Sequence, residues 1–302
     1  MGTSTASTRS LPVTGPYDLG EVATMGFGHR DERSYDGVMR LAFCLDTDLE
    51  RQVGVEVRQE GDRLDLLVRP AAGPSLSDAE VDAAARQVAR VVSADHDGAA
   101  FHALCAADPV LAPVHAVAPG FRPALFYSPY EAAVWSVLSA RRARAQAITL
   151  RRRLSQADGA VVALAGVEAE ALPTPSALLR LESVPGLPAD RLPRLHAIAE
   201  AAQRGELDVD ALRALPPEEA EQRLQRLPGI GPFYASLVVL RACGHADVMP
   251  AGESHVRDAV EELYGFDHPP TPAELLALGE AWRPYRTWVP VMLRALAGRV
   301  AR

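Results

Sequence analysis

The 302-residue chain contains no lysine and no asparagine, so arginine supplies all 31 of its side-chain cations. The missing lysine excludes one chemistry outright, because no side-chain amine is available to form a Schiff base with a carbonyl. Both missing residues have A-rich codons, which points to a GC-rich genome. Cysteine is almost as scarce. Cys44, Cys105 and Cys243 are too few and too scattered for a disulfide framework or a four-thiolate cluster, and they suit a reducing cytoplasm. No apolar run approaches the ~20 residues of a membrane span. The first dozen residues have no hydrophobic signal-peptide core and read as a loose tail. His245 and His255 flank one loop, yet no third ligand stands at a metal-binding spacing, so no metal is expected.

Hydrophobic residues make up 48% of the chain, enough for a globular fold of about two domains at this length. The net charge of −8 argues at first against a polyanionic partner. Its distribution argues otherwise. Residues 1–100 hold 17 acids and 10 arginines, whereas residues 101–302 hold 22 acids and 21 arginines. The acidity is therefore concentrated in the first third, and a basic face remains open to the rest.

Residues 1–35 read as a flexible tail and lead-in. Residues 36–117 read as an α/β domain with a small antiparallel sheet: Val38–Leu45, Val53–Val57 and Leu64–Val68 are β-rich, with Gly61-Asp62 as a turn. Ser77 and Glu80 form the signature of a capping box ahead of a helix bearing Val81, Ala85, Val88 and Val92. A proline-rich stretch from Pro109 to Pro123 marks the expected boundary, and residues 118–302 read as mostly helical. Ser128, Pro129 and Glu131 supply an N-cap, a first-turn proline and a capping-box acid. Asp190 opens a helix that Gly205 stops, and helices are expected after Glu253 and from about Glu274, the last broken at Pro284 and Pro290.

The most informative segment is Leu227-Pro228-Gly229-Ile230-Gly231, which interrupts two helical stretches, Glu218–Arg226 and Pro232 to about Ala242. Two glycines one residue apart permit a tight turn whose amides approach a ligand closely. The following helix adds unpaired N–H groups and a positive dipole end, a combination suited to a phosphate of a nucleic-acid backbone. Glu253 lies a little over twenty residues downstream, placed to act on a nucleotide held there.

These segments, taken in order, resemble the helix-hairpin-helix DNA glycosylase superfamily, and most closely its 3-methyladenine DNA glycosylase II branch. Phe121-Arg122-Pro123 with Ser128-Pro129-Tyr130-Glu131 is similar to the branch's first core helix, and Val184-Pro185-Gly186-Leu187 to the segment ahead of its hairpin. Asp247-Val248-Met249-Pro250-Ala251-Gly252-Glu253 stands where the family has a loop ending in its catalytic aspartate. Trp282-Arg283-Pro284-Tyr285-Arg286 matches a C-terminal signature. The resemblance implies an α+β protein whose helical core has two lobes facing a cleft. It also implies a monomeric bacterial enzyme of the cytoplasm, working at the nucleoid in base excision repair. Its substrate would be double-stranded DNA containing a damaged base, flipped out of the stack and removed.

On this resemblance Glu253 is the catalytic carboxylate, and Leu227, Pro228, Gly229, Ile230, Gly231, Phe233, Arg141 and Arg142 contact DNA. Phe233, Tyr234, Trp135 and Trp282 are expected to form the base pocket. No cofactor is implied beyond a monovalent cation at the hairpin. In relatives that cleave the strand a hairpin lysine attacks the sugar; here Phe233 holds that position, which implies a monofunctional enzyme for alkylated purines. The chain departs from the pattern at three places. Glu253 replaces the aspartate with a side chain one methylene longer, which leaves a second reading, a weak or inactive relative that binds DNA without excision. Arg141 and Arg142 lie where a glutamine usually probes the DNA. Leu237 and Arg294 stand where alkylpurine members often place aromatics.

Overall fold

The computed structural model describes residues 6–25, 28, 35–250 and 254–300, with Ser254 and His255 described by backbone alone. Among the described residues no helix is long and apolar enough to cross a membrane. The chain opens with strand β1 (Ser7–Pro12) and helix α1 (Leu19–Thr24), followed by β2 (Met39–Leu45), β3 (Asp48–Glu60) and β4 (Arg63–Pro70). The four strands form one antiparallel sheet in the order β1-β4-β3-β2. Glu60 pairs with Arg63 across the Gly61-Asp62 turn, where Gly61 takes a positive φ. Helix α2 (Asp78–Val91) lays Val81, Ala84, Val88 and Val91 on the sheet, and its capping box is closed by Ser77 and Glu80 as the sequence indicates.

Of the lead-in expected to be flexible, residues 6–25 contain a strand and a helix, and residues 1–5, 26–27 and 29–34 lie outside the described residues. Ser7–Pro12 pairs along its whole length with β4, and Leu19, Val22 and Ala23 of α1 are buried. Leu11 is the only aliphatic side chain in β1, so no two-residue periodicity announces it. The strand exists because β4 offers a free edge.

Helices α3 (Gly98–Ala107) and α4 (Leu111–Ala116) follow. The proline-rich stretch is thus no spacer: Pro113 sits in the first turn of α4, where an amide has no intrahelical acceptor to lose. Phe101, Cys105, Leu111, Val114 and Phe121 join one core with Val256, Val260, Trp282, Trp288 and Met292. A boundary at residues 117/118 therefore separates no two cores; the second lobe is built from both sides of it.

The first lobe centres on α5 (Pro129–Ser139), every residue of which from Pro129 to Leu138 is buried. Ser128 caps it through the Glu131 amide at 3.1 Å. The Glu131 carboxylate does not close the box. It turns inward to Arg151 of α6 (Arg144–Asp158) at 3.2 Å, and burial pushes its pKa up to about 7 against the pull of that guanidinium. After α6 comes a hairpin not anticipated from sequence, β5 (Ala160–Leu164) and β6 (Val167–Ala171). It packs so tightly on β3 that a Cβ on Gly54 would stand 2.7 Å from Val162 Cγ1. Helices α7 (Pro175–Leu179), α8 (Leu192–Gln203), α9 (Val209–Arg213), α10 (Pro217–Leu224) and α11 (Pro232–Arg241) complete the lobe, with Asp190 in a short 3-10 turn leading into α8. The chain then enters the second lobe with α12 (Ser254–Tyr264), α13 (Pro272–Gly279) and α14 (Trp288–Leu296). Pro290 lies in the first turn of α14 and does not break it.

Sheet and lobes meet at residues 121–127. The Arg122 side chain, 1% exposed, donates to the carbonyls of Ser93 and His96 at 3.0 Å each, of Pro16 at 3.3 Å, and of Thr14. It also lies 4.9 Å from the Tyr17 ring centroid. Replacing Arg122 with methionine removes the donor from the Ser93, His96 and Pro16 carbonyls, while Thr14 keeps the Gly98 amide at 3.0 Å. The variant should lose at least about 3 kcal/mol of stability in urea denaturation; a loss below about 1 kcal/mol would show that the guanidinium is dispensable.

Candidate functional site

The hairpin forms as its sequence requires. Leu227 and Ile230 are buried in the first-lobe core and anchor the turn, with the Ile230 amide donating to the Leu227 carbonyl at 3.0 Å. Between them Gly229 takes φ +91°, a region a side chain would strain. Gly231 is the N-cap of α11, with extended backbone and no side chain to satisfy the first-turn amides, and a Cβ there would meet nothing within 4 Å. Pro232 occupies the first helical position. The exposed turn therefore presents open backbone amides and the positive end of α11.

Beside it lies a cavity of about 390 Å³ bounded by α11 on one side and α14 on the other. Helix α11 contributes Phe233, Ser236, Leu237 and Leu240, which share one face by their spacing of three and four residues. Pro290, Val291 and Arg294 of α14 form the facing wall, with Thr287 just ahead of that helix. Glu221 and Arg241 complete the charged lining. Pro250 also lines the cavity. It belongs to the loop leading toward Glu253, and Glu253 itself lies outside the described residues.

That loop is held firmly up to the cavity. Arg286 reaches Asp247 Oδ1 at 2.7 Å and the Asp247 carbonyl at 2.8 Å, while Arg283 reaches Asp247 Oδ2 at 2.9 Å. At the next residue, the Thr287 amide donates to the Ala246 carbonyl at 2.8 Å. The Thr287 hydroxyl donates to the Val248 carbonyl at 2.8 Å and accepts from the Val248 amide at 3.1 Å. Asp247 thus acts as the anchor of the loop, and the Trp282–Arg286 signature supplies its partners.

Of the residues expected in a base pocket, Phe233 alone lines the cavity. It is 63% exposed and stands edge-on to Tyr234, their ring centroids 5.2 Å apart. Tyr234 turns away, its hydroxyl 3.3 Å from Ser139 Oγ at the end of α5. Trp135 and Trp282 are core side chains. Trp135 packs near Phe126 in the first lobe, and Trp282 is fully buried in the second, its Nε1 donating to the Tyr264 hydroxyl at 3.2 Å. Arg141, with φ +55°, and Arg142 follow α5 in the loop beside Tyr234. The Arg142 guanidinium is committed to the Gly186 carbonyl at 2.8 Å, whereas Arg141 is exposed. Ser236, Thr287, Pro250 and Pro290 were not expected in the lining. For Ser236 the helical period starting from Phe233 carried the signal; the others depend on which lobe faces which.

Comparison with known proteins places this geometry. No family model matches the chain. It is 30% identical over 206 residues to the Mycobacterium tuberculosis protein named "Probable bifunctional transcriptional activator/DNA repair enzyme AlkA", a match covering 66% of this chain and 40% of that one. It is 23% identical over 203 residues to the DNA-3-methyladenine glycosylase of Bacillus subtilis, covering 66% of this chain and 67% of the relative. Among solved structures, the 3-methyladenine DNA-glycosylase from Archaeoglobus fulgidus shares the fold with a TM-score of 0.76 at 20% identity, over 95% of this chain and 97% of the other. The chain is thus similar in sequence to DNA-3-methyladenine glycosylases over about two thirds of its length and shares the fold of a solved one. Its glycosylase fold brings the hairpin, Phe233 and the Asp247–Pro250 loop to one cleft.

The anchoring of that loop is testable by itself. Arg286→Met removes three of the contacts to Asp247, and amide hydrogen exchange at Val248 and Thr287 should accelerate by about tenfold or more, roughly 1.4 kcal/mol of local stability. Unchanged exchange at both amides would mean that Arg283 and Thr287 hold the loop unaided.

Proposed function

We propose that this protein is a monofunctional DNA glycosylase that hydrolyses the N-glycosidic bond of alkylated purines in duplex DNA. The observation that carries this reading is the single cavity touched by three elements of separate origin: the hairpin helix through Phe233, the loop ending at Glu253 through Pro250, and α14 from the opposite lobe. A base cannot reach such a cavity from within the stack, so the nucleotide must be everted. The hairpin amides and the α11 dipole hold a backbone phosphate, which fixes where the everted sugar stands. Phe233 and the aliphatic walls receive the base.

Breaking the glycosidic bond builds positive charge on the sugar, and the Glu253 carboxylate stabilises that charge and orients the attacking water. A chain without lysine offers no side-chain amine to attack the sugar, so water takes the place of an enzyme nucleophile and the strand is left uncut. The reaction uses no cofactor, and a monovalent cation at the hairpin would add only to phosphate binding. The protein acts as a monomer on DNA in the bacterial cytoplasm.

Duplex oligonucleotides carrying 7-methylguanine or 3-methyladenine, incubated with enzyme and then cleaved with hot alkali, test this directly. The protein should release free base, and Glu253→Gln should slow release by about 100-fold or more while binding persists. Borohydride should trap no covalent adduct. Tight lesion binding by the native protein with no base released would instead identify it as a recognition protein, and an undiminished rate in Glu253→Gln would remove Glu253 from the chemistry.

A further inference from the structure

Arginines cluster around the hairpin, but the structure uses them differently. Arg191, at the start of α8, donates to the Val137 and Ala140 carbonyls at 3.1 and 2.8 Å and so ties down the end of α5. Arg142 is spent on the Gly186 carbonyl. Arg194, one turn along α8 from Arg191, bonds neither the α5 end nor that loop. Its arm lies across the hairpin: a Cβ built on Gly229 would stand 2.9 Å from Arg194 Cδ, 3.7 Å from Cγ and 3.5 Å from Nη1. The guanidinium is thereby carried to the same exposed turn that presents the Gly231 and first-turn amides of α11. Its ion pair with Asp190 is loose, at 3.9 Å, and both side chains are substantially exposed at 41% and 71%. Exposed pairs of this kind contribute little and exchange readily for a better anion.

We infer that Arg194 and the hairpin amides grip the same DNA phosphate, Arg194 acting as a positioning residue that fixes the register of the strand against the cleft. This rests on the DNA-binding reading above. The backbone amides give direction but carry no net charge. A planar guanidinium supplies the charge, with two parallel donors matched to phosphate oxygens. The arrangement also gives Gly229 a second reason to be glycine. Beyond its positive φ, a side chain there would collide with the arm that seats the guanidinium.

The test measures binding to a duplex with a tetrahydrofuran abasic-site analogue by fluorescence anisotropy between 50 and 200 mM salt, on the native protein, Arg194→Met and Arg194→Lys. Methionine keeps an unbranched arm over Gly229 and removes the charge. Arg194→Met should flatten the slope of log affinity against log salt by about 0.9, the loss of one phosphate contact, at an unchanged melting temperature. Arg194→Lys should keep the native slope. The loss should be the same on undamaged duplex, because a phosphate contact reads no base. A native slope in Arg194→Met would overturn the inference, and so would a flattened slope accompanied by a lower melting temperature in both variants, which would mark Arg194 as a packing element of the turn. A native protein without salt-dependent DNA affinity would be a different failure, that of the DNA-binding reading itself.

Discussion

The backbone of residues 121–127 threads between the sheet and both lobes, and buried guanidinium groups hold it there. Arg122 takes up carbonyls from the lead-in and from the segment after α2. Arg241, at the end of α11, donates to the Ala124 carbonyl at 2.6 Å, and Arg90 of α2 donates to Tyr127 at 2.8 Å and to Ala242. Gln87 shares the Tyr127 carbonyl with Arg90, Ser93 takes the Pro123 carbonyl, and the Leu125 and Phe126 amides donate outward to the Val91 and Arg241 carbonyls. A buried peptide segment with unmatched carbonyls would be costly. Arginine solves the problem with several donors on one rigid head, which lysine, absent from this chain, does less well. Asp46 balances Arg90 from the sheet side, and burial raises its pKa despite that partner.

The cleft inherits its shape from this junction. Helix α11 belongs to the core of the first lobe and α14 to that of the second, so the cavity exists only because the two cores are fixed side by side. Within the second lobe, Tyr285 ties the C-terminal segment to α3, its hydroxyl donating to the Asp97 carbonyl at 2.6 Å, while Trp288 meets Phe101 edge-on at 5.1 Å. The Asp247 loop is held against the second lobe by Arg283, Arg286 and Thr287. The hairpin is rooted in the first by Leu227 and Ile230. Each functional element is rigid within its own lobe, and the chemistry proposed for the site arises where the lobes face.

Much of this was legible from local signals. The glycine spacing of the hairpin, the capping box at Ser77 and the β-rich runs of β2, β3 and β4 each depend on neighbouring residues alone, and each formed as its chemistry requires. What stayed hidden depends on contacts distant in sequence. Strand β1 has too few aliphatic residues to show a period and is defined by its partner. The β5–β6 hairpin interrupts a helical region because Val162 and Leu164 find Gly54 on the sheet. Glu131 carried a valid capping signal, but Arg151, twenty residues on, claimed its carboxylate. Trp135 and Trp282 looked like pocket walls because aromatic rings suit flat bases, yet sequence spacing does not tell a cleft-facing ring from a buried one. Ser236 and Leu240, by contrast, follow from Phe233 by helical period alone.

The second lobe is assembled from residues on either side of the first, and this has a mechanical corollary. A jaw whose two halves were successive beads on a chain would swing about one connecting strand. Here the polypeptide passes between the halves at residues 121–127 and again near 242–248, with buried charge at the first crossing and the Asp247 network at the second. Closing such a jaw on a long, stiff ligand would tear out both seams, so the frame behaves as an anvil. In the proposed function, any bending needed to bring a base into it falls on the double helix.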